Sequence, residues 1–201
     1  MSEDKHDQQF PLGNYCDADG RVKAMDYGMR PLSESMSLMG PAFTVATPPG
    51  QNLAIHRAIA EALPGQVLVV AMSGDCRYGP FGEILALACQ HRGIAGIVLD
   101  GSVRDGSDIE ALGFPVFCRG LAPSGTRKEV AGELGTSIQC GGVNVDPDDI
   151  IVADRDGVIV IPAPAMADVQ MGVQKIVDKE ARIKDGIAAG KTTLELLNLT
   201  T

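Results

Sequence analysis

Two runs, Gln66 to Met72 and Ile94 to Leu99, are apolar almost without interruption. A strand with one wet face alternates apolar and polar residues. A continuous apolar run of this length instead fits a strand covered on both faces, as in the parallel sheet of an α/β protein. Around these runs the periodicity becomes helical. Leu53 to Leu63 reads as a helix closed by Pro64-Gly65, Glu83 to Arg92 carries helical spacing, and Asp105 to Leu112 reads as a shorter helix. Pro41 to Thr47 reads as a strand stopped by Pro48-Pro49-Gly50, and Phe114 to Cys118 as another. Ile150 to Ala153 and Val158 to Ile161 flank Asp154-Arg-Asp-Gly157, a hairpin turn. No linker divides the chain, so the expectation is one α/β domain over residues 1–201, with 1–15 a flexible tail.

The last long segment carries Met166, Val169, Val173, Ile176, Glu180, Ile183 and Ile187 at alternating spacings of three and four. That is an apolar stripe on one helix face with a carboxylate inside it. Because it follows the completed sheet, residues 165–190 are expected to form a C-terminal helix that packs on a neighbouring subunit. Glu180 has two readings. A carboxylate buried in such a stripe needs water, a cation or a partner at an interface; otherwise the stripe has cleared the core at that turn and Glu180 is solvated.

Composition excludes several functions. Seventeen Lys and Arg against 26 Asp and Glu give a net charge of -9, so no overall field draws the chain to nucleic acid or an anionic membrane. Aromatic residues are 4% with no Trp, too few for a base-stacking platform. No apolar run reaches the roughly 18 residues of a membrane span, and the polar first residues resemble no signal peptide; the expected location is the cytoplasm. The five cysteines, Cys16, Cys76, Cys89, Cys118 and Cys140, form no CxxC pair and are read as small core hydrophobes. His6, His56 and His91 lack metal-ligand spacing, with His56 placed on a core helix near the sheet. No nucleophile elbow, P-loop or dinucleotide fingerprint is present, so no nucleotide cofactor is expected.

Ligand sites in α/β sheets gather where strands end and loops lead into helices. Two such junctions stand out. In Gly79-Pro-Phe-Gly-Glu83-Ile-Leu85 a tight loop opens a helix, whose first backbone N–H groups suit a carboxylate. In Asp100-Gly-Ser-Val-Arg104-Asp105-Gly-Ser-Asp108 an arginine stands beside acids. Aspartate ligates a hard cation through oxygen, and arginine pairs with carboxylate or enolate oxygens. Each junction also has a plainer reading: Asp105 and Asp108 as helix caps with Arg104 in a surface ion pair, and Glu83 as a partner of its helix dipole. Arg77, in the loop between, either meets a distal substrate carboxylate or is solvated.

At these residues the sequence resembles the RraA-like family, which includes metal-dependent 4-hydroxy-4-methyl-2-oxoglutarate / 4-carboxy-4-hydroxy-2-oxoadipate aldolases and ribonuclease E regulators. The matching segments are Gly40-Pro-Ala-Phe-Thr-Val45, Asn52-Leu-Ala-Ile-His-Arg-Ala58, Gly82-Glu-Ile-Leu85, Gly96-Ile-Val-Leu-Asp-Gly-Ser-Val-Arg-Asp105, Gly113-Phe-Pro-Val-Phe117, Cys140-Gly-Gly-Val-Asn-Val145 and Asp149-Ile-Ile-Val-Ala-Asp154. The resemblance implies a layered β/β/α sandwich of the swivelling-domain type, assembled as a trimer or hexamer. It implies an aldolase that releases pyruvate from small anionic 4-hydroxy-2-oxo acids, with oxaloacetate decarboxylation as a side activity. Asp105 is implied as the direct ligand of Mg2+ or Mn2+, Glu83 and a neighbouring subunit's Glu180 as ligands through water, Arg104 as partner of the pyruvyl oxygen, and the N–H groups of Ile84 and Leu85 as the grip on the substrate carboxylate. Glu83 stands 21 positions before Arg104, where the resemblance implies an acid in aldolases, often Asp, and glycine in regulators. The alternative function is a non-catalytic regulator that binds and inhibits a ribonuclease or RNA helicase through its acidic surface.

Overall fold

The apolar runs lie at the centre of a mixed sheet. The computed structural model describes residues 10–199. In chain order its elements are α1 (Leu12–Ala18), β1 (Lys23–Ala24), β2 (Arg30–Pro31), β3 (Leu38–Ala46), α2 (Leu53–Glu61), β4 (Val67–Asp75), α3 (Glu83–His91), β5 (Gly96–Val103), α4 (Gly106–Leu112), β6 (Val116–Leu121), β7 (Glu133–Leu134), β8 (Ile138–Cys140), β9 (Val143–Val145), β10 (Ile150–Asp154), β11 (Gly157–Ile161), α5 (Met166–Ala188) and α6 (Thr193–Leu196). The strand order is β1-β11-β10-β3-β4-β5-β6-β2, with β7 also on β3, while β8 and β9 form a separate hairpin. Strands β3, β4, β5 and β6 are parallel, joined by α2, α3 and α4. This mixed α/β domain carries the expected fold class.

Strand β3 joins two halves of the sheet. Its segment from Ala42 to Ala46 runs parallel to β4, while Leu38 to Pro41 pairs antiparallel with β10. Every residue of β5 is buried, as the apolar run requires, but the strand continues to Val103, past the expected end at Leu99. Strand β4 likewise reaches Asp75, beyond Met72. Register shifts interrupt both ladders, between Ala71 and Asp75 and between Leu99 and Ser102. Pairing resumes through Asp100-Gly-Ser102, whose polar composition conceals a strand from hydropathy alone.

Strands β10 and β11 sort their side chains by the two-residue period. Ile151, Ala153, Val158 and Val160 enter the main core, whereas Val152, Ile159 and Ile161 enter a second cluster with Leu12, Tyr15, Val169 and Val173. That second cluster bears on two expectations. The stretch 1–15 is not wholly a flexible tail: α1 starts at Leu12, and Leu12 and Tyr15 are buried; residues 1–9 lie outside the described residues. The first half of the α5 stripe is covered by α1 of the same chain, with Val169 and Val173 fully buried. Beyond Ile176 the cover thins: Ile183 is half-buried and Ile187 exposed, with α6 folded back near Gly186. The expectation for cysteines holds for Cys89, Cys118 and Cys140, which are buried, and fails for Cys16 and Cys76, which are exposed on α1 and on the loop after β4. Among the described residues no helix is long and apolar enough to cross a membrane.

Candidate functional site

The chain from Gly79 to Gly82 crosses the carboxyl ends of the parallel strands, and backbone bonds hold it there. Gly79 N–H donates to Ser124 O (2.8 Å), Arg104 N–H to Phe81 O (2.9 Å), and the Asn52 side-chain amide to Pro80 O (2.9 Å). Two glycines permit this close approach. A Cβ at Gly79 would strike the Ala122 carbonyl and the Arg104 Cβ; one at Gly82 would overlap the Asp105 carboxylate. The two junctions singled out in the sequence therefore meet: the loop that opens α3 lies directly against the end of β5.

Asp105 precedes α4 with φ of 56°, in the left-handed region that few non-glycine residues occupy. Its side chain makes no cap hydrogen bond to α4. Instead Oδ2 accepts from Glu83 N–H at 3.3 Å and lies 3.5 Å from Arg104 Nε, while Oδ1 accepts no hydrogen bond among the described residues. Capping thus does not explain Asp105. Both side chains of the Arg104–Asp105 pair remain substantially open to solvent, and Glu83 is exposed. Of the two amides read as a carboxylate grip, Ile84 N–H has no acceptor among the described residues, whereas Leu85 N–H already donates to Gly82 O at 3.0 Å.

Arg104, Asp105, Ile84 and Leu85 line a cavity of about 320 Å3, together with Asn52, His56, Thr126 and Lys128. Burial, and then the Lys128 charge, hold the His56 imidazole below its usual range, so it is neutral at pH 7. Asn52, His56 and Lys128 were not assigned a role from sequence. Asn52 and His56 sit one helical turn apart in a segment that carries the family resemblance, a signal that spacing within the motif offered. Lys128 lies in an irregular loop with no local pattern. Arg77 is accounted for: it makes a close ion pair with Asp75 at 2.6 Å, lowering the Asp75 carboxyl. Glu180 is not brought to this cavity within one chain. It is partly exposed on α5 with Lys184 at 3.6 Å.

A second charged group braces the site from behind. Asp100, on β5 four residues before Arg104, is buried, makes a very short ion pair with Arg119, and accepts from Gly141 N–H at 3.1 Å. Arg119 also reaches Asp26 at 3.6 Å. These contacts link β5, β6, the β8–β9 hairpin and the β1–β2 loop.

No three His, Cys, Asp or Glu side chains gather into a metal cluster among the described residues. One open carboxylate nonetheless fits a hard cation such as Mg2+, which commonly keeps several waters and takes only one or two protein carboxylates.

A mixed α/β domain whose cavity sits at parallel strand ends, with an arginine and an aspartate just past the end of one strand, places its polar groups where open α/β sheets bind small ligands. The chain belongs to the RraA-like family: the family's sequence profile, described as Aldolase/RraA, matches residues 10–160. It is 41% identical over 171 residues to a protein of Halalkalibacterium halodurans provisionally named 4-hydroxy-4-methyl-2-oxoglutarate aldolase, covering 83% of this chain and 81% of that protein. It is 31% identical over 113 residues to the 4-hydroxy-4-methyl-2-oxoglutarate aldolase of Thermus thermophilus, covering 56% of this chain and 69% of that protein. Among solved structures it resembles Streptomyces coelicolor RraAS2, described as an unusual member of the RNase ES inhibitor RraA family, with a TM-score of 0.71 and 29% identity over 83% of this chain and 85% of that one.

Proposed function

We propose that this protein is a divalent-cation-dependent lyase that cleaves 4-hydroxy-2-oxo acids such as 4-hydroxy-4-methyl-2-oxoglutarate to release pyruvate, with oxaloacetate decarboxylation as a side activity. The observation that carries this reading is the convergence of Arg104, Asp105 and the α3 amino terminus in one cavity, with Asp105 turned away from the helix it precedes. A cation held by Asp105 directly, and by Glu83 and the neighbouring subunit's Glu180 through water, would supply Lewis-acid polarisation of the 2-oxo group.

The remaining work falls to the chain itself. Ile84 N–H, and Leu85 N–H if it leaves Gly82 O, receive the substrate carboxylate at the positive end of α3. Breaking the C3–C4 bond leaves its electron pair on the pyruvyl fragment as an enolate, and C4 departs as a carbonyl once its hydroxyl proton is removed. Arg104 donates to the oxygen on which that charge develops, an interaction stronger in the transition state than in the ground state. Glu83 and Glu180 order the water that accepts the hydroxyl proton. Protonation of the enolate at C3 completes pyruvate. Arg104 and Lys128 together favour a dianionic substrate despite the net charge of -9.

The thinning cover of α5 beyond Ile176 supports assembly as a homotrimer or hexamer that brings Glu180 to a neighbour's cavity. The likeness to RraAS2 supports a second reading, a regulator that binds and inhibits a ribonuclease or RNA helicase. Pyruvate release from both substrates separates the two. It should require Mg2+ or Mn2+, vanish with EDTA, return on metal addition, and fall by about 100-fold or more in Arg104→Ala. Full activity after metal removal would sink the cation role, unchanged activity of Arg104→Ala the assigned site, and no pyruvate with tight ribonuclease binding would establish the second reading.

A further inference from the structure

Asn52 precedes α2, is only 6% exposed and lines the cavity that holds Arg104 and Asp105. Its Nδ2 donates to Pro80 O at 2.9 Å. A carbonyl oxygen can only accept, so this bond fixes which way the amide faces. The Oδ1 atom is left buried, with no hydrogen-bond partner among the described residues. An unpaired buried acceptor is costly, and a ligand that brings a donor relieves that cost on binding.

The nature of that donor narrows the ligand. Carboxylate and 2-oxo oxygens only accept, so neither anionic end of a 2-oxo acid satisfies Oδ1. In the substrate class proposed above the donor is the C4 hydroxyl. We propose that Asn52 Oδ1 is the acceptor that recognises the C4 hydroxyl of the substrate as it binds, selecting 4-hydroxy-2-oxo acids over their 4-deoxy counterparts; the hydroxyl hydrogen then turns from Asn52 to the ordered water that accepts it at cleavage. The amide takes no proton; it is a specificity-determining contact. This inference rests on the aldolase reading, because the hydroxyl belongs to that substrate.

Two substrates separate this role from the support that Asn52 gives Pro80. Oxaloacetate decarboxylation needs no C4 hydroxyl, whereas cleavage of 4-hydroxy-4-methyl-2-oxoglutarate does. In Asn52→Ala both activities bear the loss of the Pro80 contact, and kcat/KM for cleavage should fall about 10- to 100-fold further than kcat/KM for oxaloacetate decarboxylation. Asn52→Asp keeps an acceptor oxygen and should hold the ratio of the two activities within about fivefold of the unsubstituted protein, whatever its absolute rate. In the unsubstituted protein, 4-methyl-2-oxoglutarate should compete with oxaloacetate at least about 10-fold more weakly than 4-hydroxy-4-methyl-2-oxoglutarate does. Equal losses of both activities in Asn52→Ala, or equal competition by the hydroxy and deoxy acids, overturn the role of Asn52 and leave the aldolase reading standing. Pyruvate from neither substrate with the unsubstituted, metal-supplied protein overturns both.

Discussion

Gly82 and Asp105 share one small space: the Cα of Gly82 lies so close to Asp105 Oδ2 that a methyl group there would overlap the carboxylate. The Gly82 backbone is extended, with φ of -146°, so conformation does not demand glycine. The neighbouring Asp105 carboxylate does, with the Arg104 side chain next nearest at 3.1 Å. Gly82→Ala is therefore expected to fold, with its melting temperature nearly kept, and to lose pyruvate release by about 100-fold through displacement of Asp105. Wild-type turnover in that variant would show that the position of this carboxylate is unimportant.

His56 gives the fold a pH dependence of defined sign. Its native pKa lies below the ordinary 6.5 because burial and Lys128 disfavour the imidazolium. Between the native and unfolded values the unfolded chain binds more protons, so stability rises with pH in that window. As pH falls from 6.5 through the lower native value, this stability is lost. Urea midpoints measured from pH 7 downward should fall less steeply for His56→Gln than for the unsubstituted protein; parallel slopes would remove His56 from the account.

The thiols divide into two reactivity groups. Burial pushes Cys89 up to about 12 and Cys118 up to about 11, and raises Cys140 as well, so all three stay protonated and shielded. Cys16 and Cys76 are exposed. A thiol reagent at pH 8 should modify these two in the native protein and all five after denaturation, counted by mass spectrometry. Rapid native modification of Cys140 would contradict the packing around Asp100.

Removing Asp100 should destabilise more than removing any surface acid. Asp100→Ala leaves Arg119 with only the 3.6 Å contact to Asp26 and frees the Gly141 N–H. The expected loss is about 3 kcal/mol, because breaking one partner of a buried pair leaves the other charge uncompensated. Denaturant titration of Asp100→Ala beside Asp108→Ala, an exposed control on α4, measures the difference.

The sequence was most legible where burial is extreme. Continuous apolar runs located β4 and β5, and helical spacing placed α2, α3 and α5 within a few residues. It was least legible where pairing depends on distant chain segments. The two-residue strands β1, β2 and β7 have no periodicity to detect, and α1 is held by the partners of Leu12 and Tyr15 rather than by propensity. The site followed the same division. Arg104, Asp105 and Glu83 announced themselves as charged residues at Gly-rich junctions. Lys128 did not, lying in an irregular loop, and Asn52 offered only its one-turn spacing from His56; both reach the cavity of Asp105 where the Gly79 to Gly82 loop crosses.

The backbone at Asp105 also restricts how this site can drift. A single nucleotide change in an aspartate codon yields asparagine, glycine, histidine, tyrosine, valine, alanine or glutamate. A φ of 56° is comfortable for asparagine and glycine, tolerated by histidine, and strained for valine above all. Lineages that abandon the chemistry while keeping the domain therefore have asparagine and glycine as their easiest exits. Either residue at this position, with an intact Gly79 to Gly82 loop, is expected to retain the architecture while giving up the aspartate carboxylate.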